Sequence, residues 1–363
     1  MRLSIDATPL LLRSAGVKTY VYYWTEALRR TAGGHRVELF PLVGEPGPCE
    51  HERSVAGPLR TYAGIALLQA ANYLRGPVLD WIGAGVDVFH HSSQQLRVPP
   101  RGCRITATLY DLTCRLMPET HSKANVRANE AFAKRVLGRA DGLIAISGHT
   151  RDDAVRLVGL DAGRIRVIYP GVAPAFFTAA PGPVERPYVL CVGTIEPRKN
   201  LATLLAAWAM LPLELRKAFD LVVAGPPGWG DPAVLARLRA GIPGVRYLGY
   251  VAETDLPALN AGATAFVYPS LYEGFGLPLA QAMAAGVPAV TSNVSSLPEV
   301  AGNAALLVDP HSPGEIRNAL EKLLVTPALR TELGARGRRR AAAFRWEECA
   351  RRSWEFFAEV AGG

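Results

Sequence analysis

With 363 residues, 49% of them hydrophobic and 20% charged, the chain is long enough for two domains, each with its own core. No run approaches the roughly 18 apolar residues of a membrane span, the opening MRLSIDATPLLLRS is broken by Asp6 and Pro9 too soon for a signal peptide, and the cysteines at 49, 103, 114, 191 and 349 form no C-x-x-C pair or zinc-spaced cluster. The expectation is a cytoplasmic protein with reduced cysteines, carrying a net charge of +8 that is unevenly placed: 22 Lys and Arg against 15 Asp and Glu in residues 1–180, or +7, and 18 against 17, or +1, in the rest.

A basic first half suits an anionic partner, either a diphosphate-bearing acceptor or an acidic lipid surface. Its basic residues are mostly arginines spread singly, with no aromatic-interleaved patch, which argues against nucleic acid; a merely solvated basic surface is the plain alternative. In chain order, residues 3–7 are a short apolar start, and 10–14 lead into Gly16. Residues 17–28 then have helical spacing with aromatics at 20, 22, 23 and 24. Strand, glycine turn and helix start bring backbone amides close to a phosphate or a sugar. Residues 37–43 read as the next strand. Residues 59–79 read as a helix whose Ala/Leu/Tyr face is expected to pack into the core, with an interfacial role as the alternative. The strand 86–90 ends in His90 and His91, which read as the lining of a polar site because no third metal ligand is near in sequence. The run 105–109 leads into Tyr110 and Asp111, followed by a helix at 125–137, a strand at 142–147, a helix at 150–158 and a last strand at 164–169. PGVAPAFFTAAPGPVERP, at 170–187, is dense in Pro, Gly and Ala without a sustained period. It reads as an interdomain linker whose movement would open and close a cleft.

The second half opens with an apolar strand, 188–195, then EPRKN and a helical run, 201–210, with Asn200 placed as N-cap. Arg198 and Lys199 stand where strand turns into helix, at the sheet edge where open α/β folds bind ligands. Two cations at a helix amino end suit a diphosphate whose charge grows as it leaves; two solvated surface cations are the alternative. Strands 219–224 and 245–251 follow. The first ends in GPPGWG, whose glycines at 225, 228 and 230 do not make G-x-G-x-x-G, so a dinucleotide fingerprint is missing. The run 265–268 then feeds YPSLYEGFGLPLAQAMAAG, in which a lone carboxylate, Glu273, is followed by Gly274, Phe275 and Gly276, and Pro278 opens a helix that closes at Gly286. The glycines allow close backbone approach, and the Gly276 and Leu277 amides lie at the positive end of that helix. This is a reader of anions and hydroxyls with Glu273 as acceptor, unless it is an ordinary loop entering a core helix. Runs at 289–292 and 306–308 continue a βαβα alternation that predicts an α/β fold with a parallel doubly wound sheet in each half. No D-x-D occurs, so a metal clamp on a diphosphate has no sequence basis. Residues 337–360 carry a helix with an apolar face of aromatics at 344, 346, 354, 356 and 357.

EPRKN and EGFGLP together resemble the signature of the family-four retaining glycosyltransferases of the GT-B fold, and the resemblance extends over nearly all of the chain. It implies two Rossmann-like domains facing a central cleft: an acceptor-side domain at 1–172, a linker at 173–187 and a nucleotide-sugar domain at 188–343. It implies that the last helix, 344–363, crosses back onto the first domain, with a basic-aromatic membrane-surface helix as the alternative. Glu273 would hold the donor sugar. The ribose contact expected eight residues on is Gln281 here rather than Glu. An amide still accepts from and donates to a hydroxyl, and a hydrogen bond to a charged acceptor contributes about 1.5 to 3 kcal/mol against about 0.5 to 1.5 for a neutral one. Nucleotide binding weakened or retuned by about tenfold at most is the consequence.

GTIEPRKN resembles the family's diphosphate-binding segment, with Lys199 matching its lysine and Thr194 standing where many members have arginine. The resemblance also implies a nucleobase border at Gly249, Tyr250 and Val251, and an acceptor- and diphosphate-facing loop at Gly16. It implies a sugar-side role for the residue before Asp111, a histidine in the family and Tyr110 here. The tyrosine hydroxyl can donate to a sugar hydroxyl, and Asp111 can orient an acceptor. SSLPEVAG, with Glu299, resembles a structural helix beneath the donor site. The implied activity is retaining hexose transfer from a nucleotide diphosphate sugar without a metal or other cofactor, Arg198 and Lys199 standing in for a metal's charge. GDP-mannose is the first expectation for the donor, since T-x-EPRKN resembles mannosyltransferases of surface-polysaccharide assembly. A glycan or lipid-linked acceptor is expected, with peripheral contact at the inner face of an anionic membrane. Two other readings stay open. A sugar-nucleotide epimerase shares the fold but would need an acid/base set not recognisable here, and Gln281 and Tyr110 motivate a sugar-nucleotide-binding protein without turnover.

Overall fold

A computed structural model describes residues 1–13, 16–41, 43–50, 53–74, 76–228 and 232–362. Ser14, Leu42, Arg75, Gly230 and Gly363, which fall in stretches read above, lie outside the described residues. The chain divides into two compact units, Met1–Gly171 with Trp346–Gly363, and Val172–Arg345. The stretch read as linker belongs to the second unit and carries a short helix, Pro174–Phe177, with Phe176 buried.

The first unit is built on six parallel strands: β1 (Arg2–Asp6), β2 (Arg36–Phe40), β3 (Val88–His91), β4 (Arg104–Leu109), β5 (Gly142–Ala145) and β6 (Ile165–Val167). Their order is β2-β1-β3-β4-β5-β6, with Leu3 of β1 level with Val37 on one side and Val88 on the other. β1, β3 and β5 are buried almost throughout, including the polar Ser4, Asp6, His90 and His91, because helices cover both sheet faces. His90 and His91 fall inside this core rather than lining a polar site. His90 bonds Thr106 and Thr108 on β4 at 2.9 and 2.8 Å. Burial alone lowers His91 to about 3, so its ring is neutral.

The last helix, Trp346–Gly362, packs on the first long helix, Gly16–Arg30. Trp24 Nε1 donates to Ser353 Oγ at 3.0 Å, and Trp354 Nε1 donates to Thr31 Oγ1 at 3.2 Å. Trp346, Phe356 and Phe357 are buried, each such side chain contributing about 1.5–3 kcal/mol. Its aromatic face is therefore core, not a membrane surface, and Arg351 on the opposite face pairs with Glu348 and Glu355. The stretch 59–79 is part of two helices, Pro58–Leu74 and Gly76–Gly83. Core packing claims one face of the longer helix, at Gly64, Leu68 and Ala71. The opposite face, with Leu59, Tyr62 and Tyr73, stays exposed, so only part of the Ala/Leu/Tyr surface packs into the core as expected.

The second unit repeats the plan with β7 (Tyr188–Val192), β8 (Asp220–Ala224), β9 (Val245–Gly249), β10 (Ala265–Tyr268), β11 (Ala289–Ser292) and β12 (Ala305–Val308), in the order β12-β11-β10-β7-β8-β9. All five pairings are parallel. Strands inside the sheet are buried along their length, while the edge strand β9 alternates between half-buried and exposed residues. The first strand in sequence, β7, lies beside the fourth, β10. That is the switch point of a doubly wound sheet, where the chain leaves neighbouring strands in opposite directions and opens a crevice.

Candidate active site

The residues after β7 and β10 meet at this switch point. After β7 a tight turn, Pro197–Lys199, presents Arg198 and Lys199. Asn200 then adopts a left-handed conformation, with φ at 60°, to enter the helix Leu201–Ala209. Its side chain does not cap that helix. It donates instead to the carbonyls of Pro269 and Pro310, at 3.0 and 2.7 Å, tying the turn to the segment beyond β10.

Glu273 lies on that segment. Its Oε1 accepts from Lys199 Nζ at 2.6 Å and from the Tyr268 hydroxyl at 2.8 Å, and its Oε2 accepts from Arg198 Nη1 at 2.7 Å. Arg198 also donates to the Tyr272 carbonyl at 2.8 Å and to Glu196 Oε1 at 2.6 Å. Lys199 Nζ reaches the Tyr268 hydroxyl at 2.7 Å. The Glu273 backbone is fixed as well, its amide donating to Ser295 Oγ at 3.1 Å and its carbonyl accepting from Ser296 Oγ at 2.9 Å. Gly276 opens the helix Leu277–Ala284 with φ at 95°, and a Cβ there would stand 2.6 Å from Leu297 Cδ2. Only glycine meets both demands.

Burial would raise the Glu273 carboxyl, but the charges of Arg198 and Lys199 and the hydrogen bonds from Lys199 and Tyr268 outweigh it and hold the group at about 2. Burial and neighbouring Arg198 lower Lys199, against the pull of Glu273 and Glu196. Burial and the Glu273 charge raise Tyr268 well above its ordinary value, so it stays a neutral donor. The four charges of Glu196, Arg198, Lys199 and Glu273 sum to zero. Lys199 has three N–H donors and uses two of them on Tyr268 and Glu273, so a third is available to an anion. Chemically, this is a preorganised pair of cations held at fixed positions by a buried carboxylate that also has lone pairs for a hydroxyl.

The other residues singled out in this unit have varied surroundings. Thr194 follows β7, and its Cγ2 would stand 2.6 Å from a Cβ at Gly228. Gly274 lies in the Glu273 loop, and Leu277 is half-buried at the helix start. Phe275 turns into the core against Phe344, their ring centroids 5.2 Å apart, so its side chain does not line the crevice. Gln281 is buried one turn into the same helix. Tyr250 and Val251 follow the edge strand β9, two strands from β7. The segment with Glu299 forms the helix Leu297–Ala301, whose Leu297 packs against Gly276 and whose Glu299 carbonyl accepts from Arg340. Sequence reasoning missed Tyr268, Glu196 and Ser295. Glu196 stands inside EPRKN and carried a signal, namely a carboxylate two residues from an arginine.

In the first unit the switch point lies between β1 and β3. There Asp6 Oδ1 accepts from the Thr8 amide and hydroxyl at 3.1 and 2.5 Å, and Oδ2 accepts from Ser93 Oγ at 2.6 Å. Burial raises the Asp6 pKa against these bonds. Tyr110 follows β4 with its hydroxyl buried and without a hydrogen-bond partner, edge-on to Tyr20 at 5.2 Å. Asp111 Oδ1 accepts from the Thr113 amide and hydroxyl at 3.0 and 2.6 Å, which opens the turn into the helix Thr113–Leu116. Gly16 starts the Gly16–Arg30 helix with open space around it.

The model of the group 1 glycosyl transferases matches residues 175–340, and that of glycosyltransferase family 4 matches residues 14–176. O-antigen chain mannosyltransferase B of Escherichia coli is 38% identical over 264 residues, 69% of this chain and 69% of that protein. The chain is a member of this glycosyltransferase family. The serotype-specific mannosyltransferase WbdA of Escherichia coli is 31% identical to the glycosyltransferase over 238 residues, 61% of this chain but only 29% of the length of WbdA. Among solved structures, sucrose-phosphate synthase from Thermosynechococcus elongatus superposes with a TM-score of 0.75 over 99% of this chain and 98% of its own, at 24% identity. At that identity the likeness concerns the fold. The two Rossmann-like sheets of the glycosyltransferase are those of the GT-B class, and the enzyme is a hexosyltransferase.

Proposed function

We propose that the enzyme transfers a hexose, mannose first among candidates, from a nucleotide diphosphate sugar such as GDP-mannose to a glycan or lipid-linked acceptor in polysaccharide assembly. Configuration is retained, and no divalent metal is needed. The observation that carries the reading is the Arg198, Lys199 and Glu273 cluster at the β7/β10 switch point. A diphosphate placed there meets two cations already desolvated and oriented, so their interaction with charge growing on the leaving group is stronger than in water. Glu273 accepts from the sugar hydroxyls, with the Gly276 and Leu277 amides beside it, and Gln281 bonds the ribose. Tyr110, Asp111 and the Gly16 loop stand on the acceptor side. In the transfer step the bond from the sugar's anomeric carbon to the diphosphate oxygen breaks. The acceptor oxygen bonds the same carbon on the same face, and its proton passes to the departing phosphate. The names of the two Escherichia coli relatives support mannose and a polysaccharide product.

Calorimetric titration with GDP, UDP, ADP and dTDP, each with and without magnesium, tests the donor. Metal-independent binding of GDP alone is expected; no binding by any of the four would sink the site. Product analysis without acceptor separates transfer from epimerisation, since only an epimerase returns an altered nucleotide sugar.

A further inference from the structure

Among the described residues, the five most exposed large apolar side chains all lie in one 23-residue stretch of the first unit: Leu59, Tyr62, Tyr73, Leu74 and Trp81, at 84, 74, 77, 70 and 62% exposure. Four of them sit on the helix Pro58–Leu74, whose positions 59, 62, 66, 70 and 73 recur every three or four residues and so share one face. The opposite face is the one anchored in the core. A Cβ on Gly64 would come within 2.7 Å of the Pro41 carbonyl, and Leu68 and Ala71 are buried. The helix is thus apolar on both sides, with one side committed to the core and the other bare, a pattern that water does not favour.

We infer that this face, continued by Trp81 on the helix Gly76–Gly83, lies on the surface of an anionic lipid bilayer. Three features select that occupant. The exposed rings are Tyr62, Tyr73 and Trp81, whose apolar bodies and polar tips suit the boundary between headgroups and acyl chains. Residues 53–79 contain no Asp or Glu but do contain Arg53, Arg60 and Arg75, Asp80 beside Trp81 is paired with Arg101 at 4.0 Å, and the unit they belong to carries 24 Lys and Arg against 19 Asp and Glu. Arg97 is held beside the helix by Asn72, which accepts from its amide at 2.8 Å, so exposed cations flank the apolar face. Five large apolar side chains exposed within one stretch differ from the singly scattered exposures usual on a soluble monomer. No helix among the described residues is long and apolar enough to cross a membrane, so the contact is one of lying on the surface.

The test is vesicle co-flotation of the full chain, using phosphatidylcholine alone or mixed with phosphatidylglycerol. Wild type is expected to float with the mixed vesicles, less as salt rises. The triple variant Leu59→Ser, Tyr73→Ser, Trp81→Ser is expected to lose at least tenfold in partition while its thermal unfolding is unchanged, since all three side chains are exposed. Arg351→Gln with Arg352→Gln, on the last helix, is expected to bind as wild type does. The idea is overturned if wild type ignores mixed vesicles, if the triple variant binds equally well, or if the last-helix variant loses binding instead. A concentration-dependent dimer that the triple variant abolishes would hand the face to a second copy. The inference is independent of the donor site, because Glu273→Ala should lose transfer and keep vesicle binding.

Discussion

The two units offer the same place in the fold to opposite chemistries. At the β7/β10 switch point a carboxylate is buried with two cations and stays ionised to about pH 2. At the β1/β3 switch point Asp6 is equally buried but surrounded by hydroxyls and an amide, and burial raises its pKa. Topology therefore supplies the crevice, while the residues at and just past the strand ends decide whether it holds paired cations or only hydroxyls and an amide around a carboxyl group. A diphosphate needs the fixed cations; a site of hydroxyls, an amide and a carboxyl group offers a neutral hydroxyl both donors and acceptors.

The comparison breaks first at the charged site. Lys199→Ala and Glu273→Ala are each expected to reduce turnover at least a hundredfold, about 2.7 kcal/mol of transition-state stabilisation; near-normal steady-state rates in both would refute the assignment. The same carboxylate governs acid stability. Its folded pKa of about 2 lies below the unfolded value of 4.5, so its contribution is fully present above pH 4.5 and disappears as pH falls toward 2. Glu273→Gln should cost on the order of 3 kcal/mol at pH 7 in denaturant unfolding, with the gap to wild type closing below pH 4.5.

Gln281→Glu sharpens the contrast by restoring a charged acceptor, and calorimetry should find nucleotide bound up to about tenfold tighter. The smallest effect is expected at Asp6. Its folded pKa lies above the unfolded one, so its contribution has the opposite sign: present at low pH and lost as pH rises through the folded value. Asp6→Asn should change stability by less than about 1 kcal/mol at pH 5 and flatten this pH dependence in the same unfolding series. A steep loss on acidification at Asp6 would contradict the comparison.

Much of this was legible in the residues alone. Alternating apolar runs and glycine- or proline-bracketed helices announced two parallel doubly wound sheets, because strand and helix periods are local properties. Gly276 and the adjacent Arg198 and Lys199 could be read for the same reason, each standing at a junction of strand and helix. What tertiary structure decided is who meets whom. Glu273 and Lys199 are 74 residues apart, and only the parallel pairing of β7 with β10 makes them one cluster, with Tyr268 and Glu196 drawn in. The same holds for surfaces. The aromatic last helix and the apolar helix Pro58–Leu74 look alike in composition, yet the first is buried against Gly16–Arg30 and the second keeps one face bare. Hydrophobicity sets the wish to leave water; only the packing of distant elements determines which face is granted it.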